Sequence, residues 1–377
     1  LSERKNSEKT VKQDNRACFN TSKRYPLIQA IQKECQKLFT HYNLKKLSGK
    51  TILITGASGF IGYYTVVALL FLNDIHRYKM KLLLSVRNYD KARTIYAAIL
   101  DREDIQLIVQ DFGRDFTSIE GTIDFIIHLA NTSEVSALRK LGHSEVFSAI
   151  KGVESLLKLA EEKKTEAFLY LSSVTVYGED DGQEEITEGQ YFPHNWLKEN
   201  ASYVNIKRMS ESLLKLSSLH SSVRTVILRP GFVYGFNPFP DERIYAKALL
   251  QASLGKNIEL QSSGYLYRDS IYVIDLVMAM LCALQFGESG EAYNVSSGVI
   301  SLREYVDNIV KSTKVNCTYE TEKSNGTDTS KNTGADSCVE KKIYLKKYST
   351  KKIEKLGYMA HFTHEGAIKS ALAIGKT

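Results

Sequence analysis

The chain holds no uninterrupted apolar run long enough to cross a bilayer, which argues against a membrane-spanning protein. Residues 1–24 are polar and mixed in charge, without the apolar core of a secretory signal. Cysteine is scarce. Cys18, Cys35, Cys282, Cys317 and Cys338 are scattered, with no CxxC pair. An odd, dispersed set fits neither a disulfide framework nor a zinc site, and it suits a reducing compartment. No metal is expected, and the protein reads as soluble and cytoplasmic. No internal repeat of solenoid length is present. Charge is not strongly one-sided: the formal net charge of +7 favours anionic ligands only mildly. Much of it lies in runs such as Lys341-Lys342 and Lys351-Lys352, which read as solvated faces and not as a nucleic-acid surface.

What is present is a globular chain of 377 residues, too long for one simple core. Residues 1–47 read as an N-terminal extension, a mobile start followed by a helix. In that helix Leu27, Ile28, Ile31, Cys35, Leu38 and Phe39 recur at helical spacing from Pro26 to about Tyr42. From residue 48 nearly all-apolar strands (51–55, 81–86, 105–110, 123–130, 167–173, 224–230) alternate with helices. That rhythm implies a parallel sheet covered on both faces, a doubly wound α/β Rossmann fold. The expected dinucleotide-binding domain runs from 48 to 230 and is completed by about 268–296. Residues 231–267 and 297–377 form a smaller C-terminal α/β substrate-binding domain. Within it 316–338, polar and low in complexity, reads as a flexible loop.

"TGASGFIG" follows the first strand and opens a helix. Gly56 permits a tight turn, Gly59 lets the backbone approach a pyrophosphate, and Gly62 lets the helix pack closely. The helix start then offers free N–H groups to phosphate. Gly56, Ser58, Gly59, Phe60, Ile61 and Gly62 are therefore expected to hold a dinucleotide. The second strand ends in Ser85, Val86, Arg87 and Asn88, without the acidic residue that accepts from a free ribose 2′-hydroxyl. Arg87 suits a 2′-phosphate instead, so the reading is NAD or NADP with a lean to NADP. Asp111 and Phe112 end the third strand beside the adenine, and Leu129 and Ala130 end the fourth.

"SYVNIKR" puts Tyr203 and Lys207 four apart, on one face of a helix. A neighbouring ammonium favours the phenolate, so the tyrosine pKa is expected to fall. Such a tyrosine takes a proton from a sugar hydroxyl while hydride leaves the same carbon. Ser173, at the end of the fifth strand, would hold that oxygen.

Taken together, "TGASGFIG", "DFIIHLAN", "LSSVTVYGE", "YVNIK", "LRPGFVYG", "RDSIYVIDLVMAMLCAL" and "EAYNVSSG" resemble the extended short-chain dehydrogenase/reductase family. Its nucleotide-sugar epimerases, dehydratases and decarboxylases are the similar group, from about Lys50 to the C-terminus. The resemblance implies a retained NAD or NADP and a nucleoside-diphosphate sugar bound between the domains. It implies Ser173, Tyr203 and Lys207 as the catalytic set, with Lys207 also on the nicotinamide ribose. It implies Arg268 on the substrate pyrophosphate, Thr175 and Tyr234 beside the substrate, and a homodimer through helices at about 144–163 and 203–219. Two departures stand out: Phe232 sits where the family has an asparagine that meets the substrate, and Ala149 sits near the place of another.

The family's reactions share oxidation to a keto sugar and differ in the step after it. Similar 4,6-dehydratases carry an Asp–Glu pair directly after the catalytic hydroxyl, and decarboxylases a Glu two places on. Here those positions are Val174 and Thr175. A 4-epimerase needs no further acid or base, so an epimerase is the first expectation. A nucleotide-sugar reductase or dehydrogenase is also compatible. The N-terminal extension keeps a UDP-glucuronate decarboxylase or 4,6-dehydratase open, with Glu179 or Glu185 as the carboxylate. A non-catalytic dinucleotide-binding regulatory protein is the reading from a different class.

Overall fold

The computed structural model describes residues 21–114, 119–130, 142–178, 185–195, 197–198, 201–319 and 346–377. The expected mobile start, most of the expected loop at 316–338, and Glu179 lie outside the described residues.

Helix α1 (Thr21–Phe39) comes first and starts ahead of the expected Pro26. The core is a seven-stranded sheet. Its strands are β1 (Thr51–Thr55), β2 (Lys81–Val86), β3 (Ile105–Val109), β4 (Phe125–His128), β5 (Ala167–Leu171), β7 (Arg224–Pro230) and β11 (Glu291–Val295). Between them in the chain lie β6 (Glu185–Ile186), β8 (Phe232–Tyr234), β9 (Ile258–Leu260) and β10 (Tyr267–Tyr272), outside that sheet. The order is β11-β7-β5-β4-β1-β2-β3, and every neighbouring pair is parallel. The chain winds outward from β1 to β3, then returns and winds the other way from β4. That reversal opens a crevice beyond the carboxyl ends of β1 and β4, where ligands of such sheets bind.

Strand composition follows from two-sided burial. Ile52 and Ile54 point into one core, with helices α2 (Phe60–His76) and α7 (Val273–Phe286). Leu53 points into the other, with α4 (His143–Glu162) and Leu214 of α5 (Ala201–His220). Alternate residues reach opposite faces and both must be apolar. Helix α3 (Tyr89–Tyr96) follows β2.

The remaining elements build the other wall of the crevice. They are α6 (Ile244–Ser253), β12 (Val299–Ser301), α8 (Leu302–Lys311), β13 (Cys317–Tyr319), β14 (Lys347–Tyr348), α9 (Lys351–Glu354) and α10 (His364–Gly375). Strand β10 pairs with β8 and β12, and β13 with β9. Strand β14 pairs with β6, which brings Tyr348 beside Ile186. Helix α1 packs on α2, α7 and α10, burying Leu27, Ile28, Ile31, Leu38 and Phe39.

Candidate active site

Two connected chambers occupy the crevice. One, of about 370 Å³, is lined by the ends of β1 to β4, including Ser85, Arg87, Asp111 and Ala130. The other, of about 660 Å³, runs from the glycine loop to β8, β10 and β14. Gly56, Gly59 and Leu129 line both, so the loop is the shared sill.

The loop is built from its glycines. Gly56 has φ +68°, and a Cβ there would meet the Ala130 nitrogen at 2.7 Å. Only glycine lets the turn lie this close to the end of β4. A Cβ on Gly62 would lie 2.3 Å from the Gly56 carbonyl oxygen, so helix α2 sits directly on the turn. Gly59 caps α2, and no side chain satisfies the helix's first N–H groups. A Cβ at Gly59 would meet only the Gly56 oxygen, at 3.2 Å. An uncapped helix start behind a bare backbone fits a pyrophosphate. Ser58 lines the first chamber, and Phe60, Ile61 and Gly62 the second. Phe112 is buried beside Asp111, whose carboxylate accepts from the Gly113 N–H.

The hydroxyl, the tyrosine and the lysine meet in the second chamber. Strand β5 ends at Leu171, earlier than expected, and a single 3₁₀ turn follows over Val174–Tyr177. Ser173 caps that turn, accepting from the Thr175 N–H at 3.2 Å and the Thr175 hydroxyl at 3.1 Å. Both lone pairs are thereby used, and the Ser173 proton is left to donate. Ser173, beside Tyr203, favours the phenolate. Arg243 favours it too, yet desolvation outweighs both and holds the phenol above its ordinary pKa. The expected fall is therefore not observed, because the Lys207 ammonium lies 5.9 Å from the ring centre and is itself desolvated.

Lys207 is buried, donates to the Leu171 carbonyl at 2.5 Å and lies 4.6 Å from the centre of the Tyr170 ring. Burial pulls its pKa down to about 7, against the pull of Glu211 one turn on. Glu211 accepts from Ser172 at 2.5 Å and from both sides of the Arg229 fork, at 3.0 and 2.7 Å. Arg229 directs its remaining donors to Tyr177, Tyr191 and the Glu188 carbonyl. Ser172 thus faces this buried network, while Ser173 faces the cleft.

His128, at the end of β4, stacks on Tyr170 and pairs with the Thr55 hydroxyl at 2.6 Å. Burial, helped by Lys207, pushes its pKa down to about 3. An unfolded histidine takes a proton below about pH 6.5, whereas folded His128 takes none until about pH 3. Its contribution is complete above pH 6.5 and is lost progressively as pH falls toward 3. Between pH 7.5 and pH 5, His128→Asn should therefore lose about 2 kcal/mol less stability than the wild type. Urea midpoints at the two pH values read this difference, and parallel losses would refute it.

On the substrate side, Thr175 is exposed into the second chamber. Arg268 is exposed there as well and makes no ion pair among the described residues, because Asp269 turns inward to Ser296 and the Tyr348 N–H. Tyr234 is placed elsewhere. It is buried between Tyr272, Tyr305 and His364, bonded to the His364 imidazole at 2.9 Å, and lines neither chamber. Glu185 is held in β6 beside Lys351 and also lines neither.

Residues not singled out from sequence complete the wall. Arg243 and Arg268 each stand 5.7 Å from the centre of the Phe232 ring, and Lys346 and Tyr348 enter from β14 and its approach. The described wall thus carries three cations in addition to Lys207, of which Arg243 is paired with Asp241 at 2.6 Å, and one inward-turned carboxylate. That balance suits a polyanion.

The model described as the NAD dependent epimerase/dehydratase family matches residues 52–296. The chain belongs to that family. Among curated relatives of this epimerase/dehydratase, low-salt glycan biosynthesis protein Agl12 of Haloferax volcanii is 28% identical over 66% of this chain and 77% of its own. Human dTDP-D-glucose 4,6-dehydratase is 24% identical over 70% of this chain and 75% of its own. Among solved structures, UDP-glucuronic acid 4-epimerase from Bacillus cereus, in complex with UDP-glucuronic acid and NAD, aligns with TM-score 0.65 and 20% identity. That alignment covers 86% of this chain and 99% of the other. The likeness is one of fold. Family membership makes the protein an enzyme of the nucleotide-sugar epimerase/dehydratase group with a nicotinamide dinucleotide as cofactor.

Proposed function

We propose that the protein is a nucleotide-sugar epimerase acting through a keto sugar, with Tyr203 as the acid/base. The bound dinucleotide supplies the acceptor, and later the donor, of one hydride. Tyr203, held as the phenol by desolvation, would ionise under the positive charge that an oxidised nicotinamide brings beside it, and would then take the sugar hydroxyl proton as hydride leaves the same carbon. Ser173 donates to the oxygen as it becomes a carbonyl. Lys207 keeps two ammonium protons for the ribose beside the nicotinamide, its third being given to Leu171. The keto sugar then presents its other face, the hydride returns, and Tyr203 gives the proton back. Arg243, Arg268 and Lys346 hold the diphosphate.

The observation that carries this reading is the 3₁₀ turn after Ser173. It presents Val174 and Thr175 to the chamber, where elimination or decarboxylation needs a carboxylate. Among the described residues the chamber wall holds only Asp269, occupied by Ser296 and Tyr348. A 4,6-dehydratase is the second reading, favoured by the names of relatives such as the human protein. A homodimer belongs to the first reading: Phe147 of α4 and Met209, Leu216 and Leu219 of α5 are all at least half exposed. The test is a panel of UDP-, dTDP-, CDP- and GDP-sugars, with products read by mass and NMR and the enzyme's mass by light scattering. A product of unchanged mass and inverted C4, from a particle of twice 42.5 kDa, is expected. Loss of water or carbon dioxide sinks the epimerase, and a monomer mass removes the dimer.

A further inference from the structure

The first chamber contains a carboxylate that strand β2 does not supply. Glu145 stands in the first turn of α4, three residues after the cap Gly142. The positive end of the helix favours a negative charge there. The residue is buried, lines the chamber with Ser85, Arg87 and Asn88, and its Oε1 lies 3.4 Å from the Arg87 guanidinium. Arg87 itself is largely exposed, with 67% of its side chain open. The end of β2, beside the glycine loop, is where such folds read the adenosine ribose. Two groups that decide the 2′ position are thus present, but from different elements and already engaged with each other.

We propose that Glu145 selects the cofactor at the ribose, accepting from a free 2′-hydroxyl and excluding a 2′-phosphate. This rests on the first chamber holding the adenosine half of the cofactor. A 2′-phosphate brings close to two negative charges at neutral pH. Placed here it meets a fixed carboxylate that cannot move away, being anchored in a helix. Arg87, just past the end of β2, is partly engaged by Glu145, and Lys91 of α3 is the other cation that lines the chamber. A ribose hydroxyl is neutral, donates to Glu145, and leaves the Glu145–Arg87 pair intact. On this proposal the cofactor is NAD, against the lean toward NADP taken from Arg87, and the acid at the ribose comes from α4.

The experiment is calorimetric titration of the full chain, freed of bound cofactor, with NAD and with NADP. 5′-AMP and adenosine 2′,5′-bisphosphate serve as probes of the adenosine half. The wild type should bind NAD at least tenfold tighter than NADP, and 5′-AMP tighter than the bisphosphate. Glu145→Gln, nearly isosteric, should narrow both ratios about tenfold. Glu145→Ala should narrow them at least as much, because it also frees Arg87. In an Arg87→Ala background the gain in NADP binding from Glu145→Ala should shrink. A wild type that prefers NADP, or ratios that stay fixed in both Glu145 variants, overturns the inference while leaving dinucleotide binding intact. Failure of the wild type to bind either dinucleotide would overturn the cofactor reading with it.

Discussion

Replacing Tyr203 by Phe is expected to cut kcat about a thousandfold while leaving the dinucleotide bound, the usual scale for losing a positioned acid/base. The ring stays, so the half-buried contacts of α5 are kept. Only the hydroxyl goes, and with it the group that both removes and returns the substrate proton. Ser173 cannot replace it, because both of its lone pairs are taken by Thr175. Cofactor stoichiometry and KM should change little, since the phosphates are held by other residues. Steady-state turnover on the active sugar, with absorbance of the retained cofactor, reads both sides. Retention of more than a tenth of kcat would show that Tyr203 is not the acid/base.

Arg229→Ala should cost about 3–5 kcal/mol of folding stability, because it strands a buried carboxylate. Arg229 is 1% exposed and fully satisfied by protein partners. Its loss leaves Glu211 with Ser172 as its remaining hydrogen-bond donor in this network. Replacing both partners by apolar residues, Glu211→Leu with Arg229→Met, should cost less than the single change, since no charge is left behind. Denaturant unfolding of wild type, single and double variants tests this. A single variant within about 1 kcal/mol of wild type would mean that the pair is not a structural keystone.

Much of the nucleotide half was legible because its signals are local. The turn at Gly56, the uncapped start of α2 and the apolar strands each depend on neighbours within a few residues. That the proposed trio meets in one chamber was legible for a similar reason: Tyr203 and Lys207 lie one helical turn apart, and Ser173 caps the turn that follows a strand. The substrate wall was not. Arg243, Lys346 and Tyr348 reach the chamber from separate elements, and no spacing links them. Tyr234 was misplaced because α8 and α10 cover the inner side of β8, and His364 lies 130 positions away. The tyrosine pKa failed on the same ground. Sequence shows the cation four residues on, but not the desolvation that outweighs its effect. Glu145, which we propose reads the ribose, was not singled out because an acid for that role was sought at the end of β2.

Helix α1 lies ahead of the family match, which begins at residue 52, and yet it touches both walls of the crevice. It packs on α2 and α7 behind the sheet and on α10 of the opposite wall. Glu34, in its fourth turn, accepts from Ser370 of α10. In mechanical terms it is a splint: any separation of α10 from α2 and α7 must shear its apolar contacts. A segment outside the family match thus ties α2 and α7 to α10 through buried apolar contacts and one hydrogen bond.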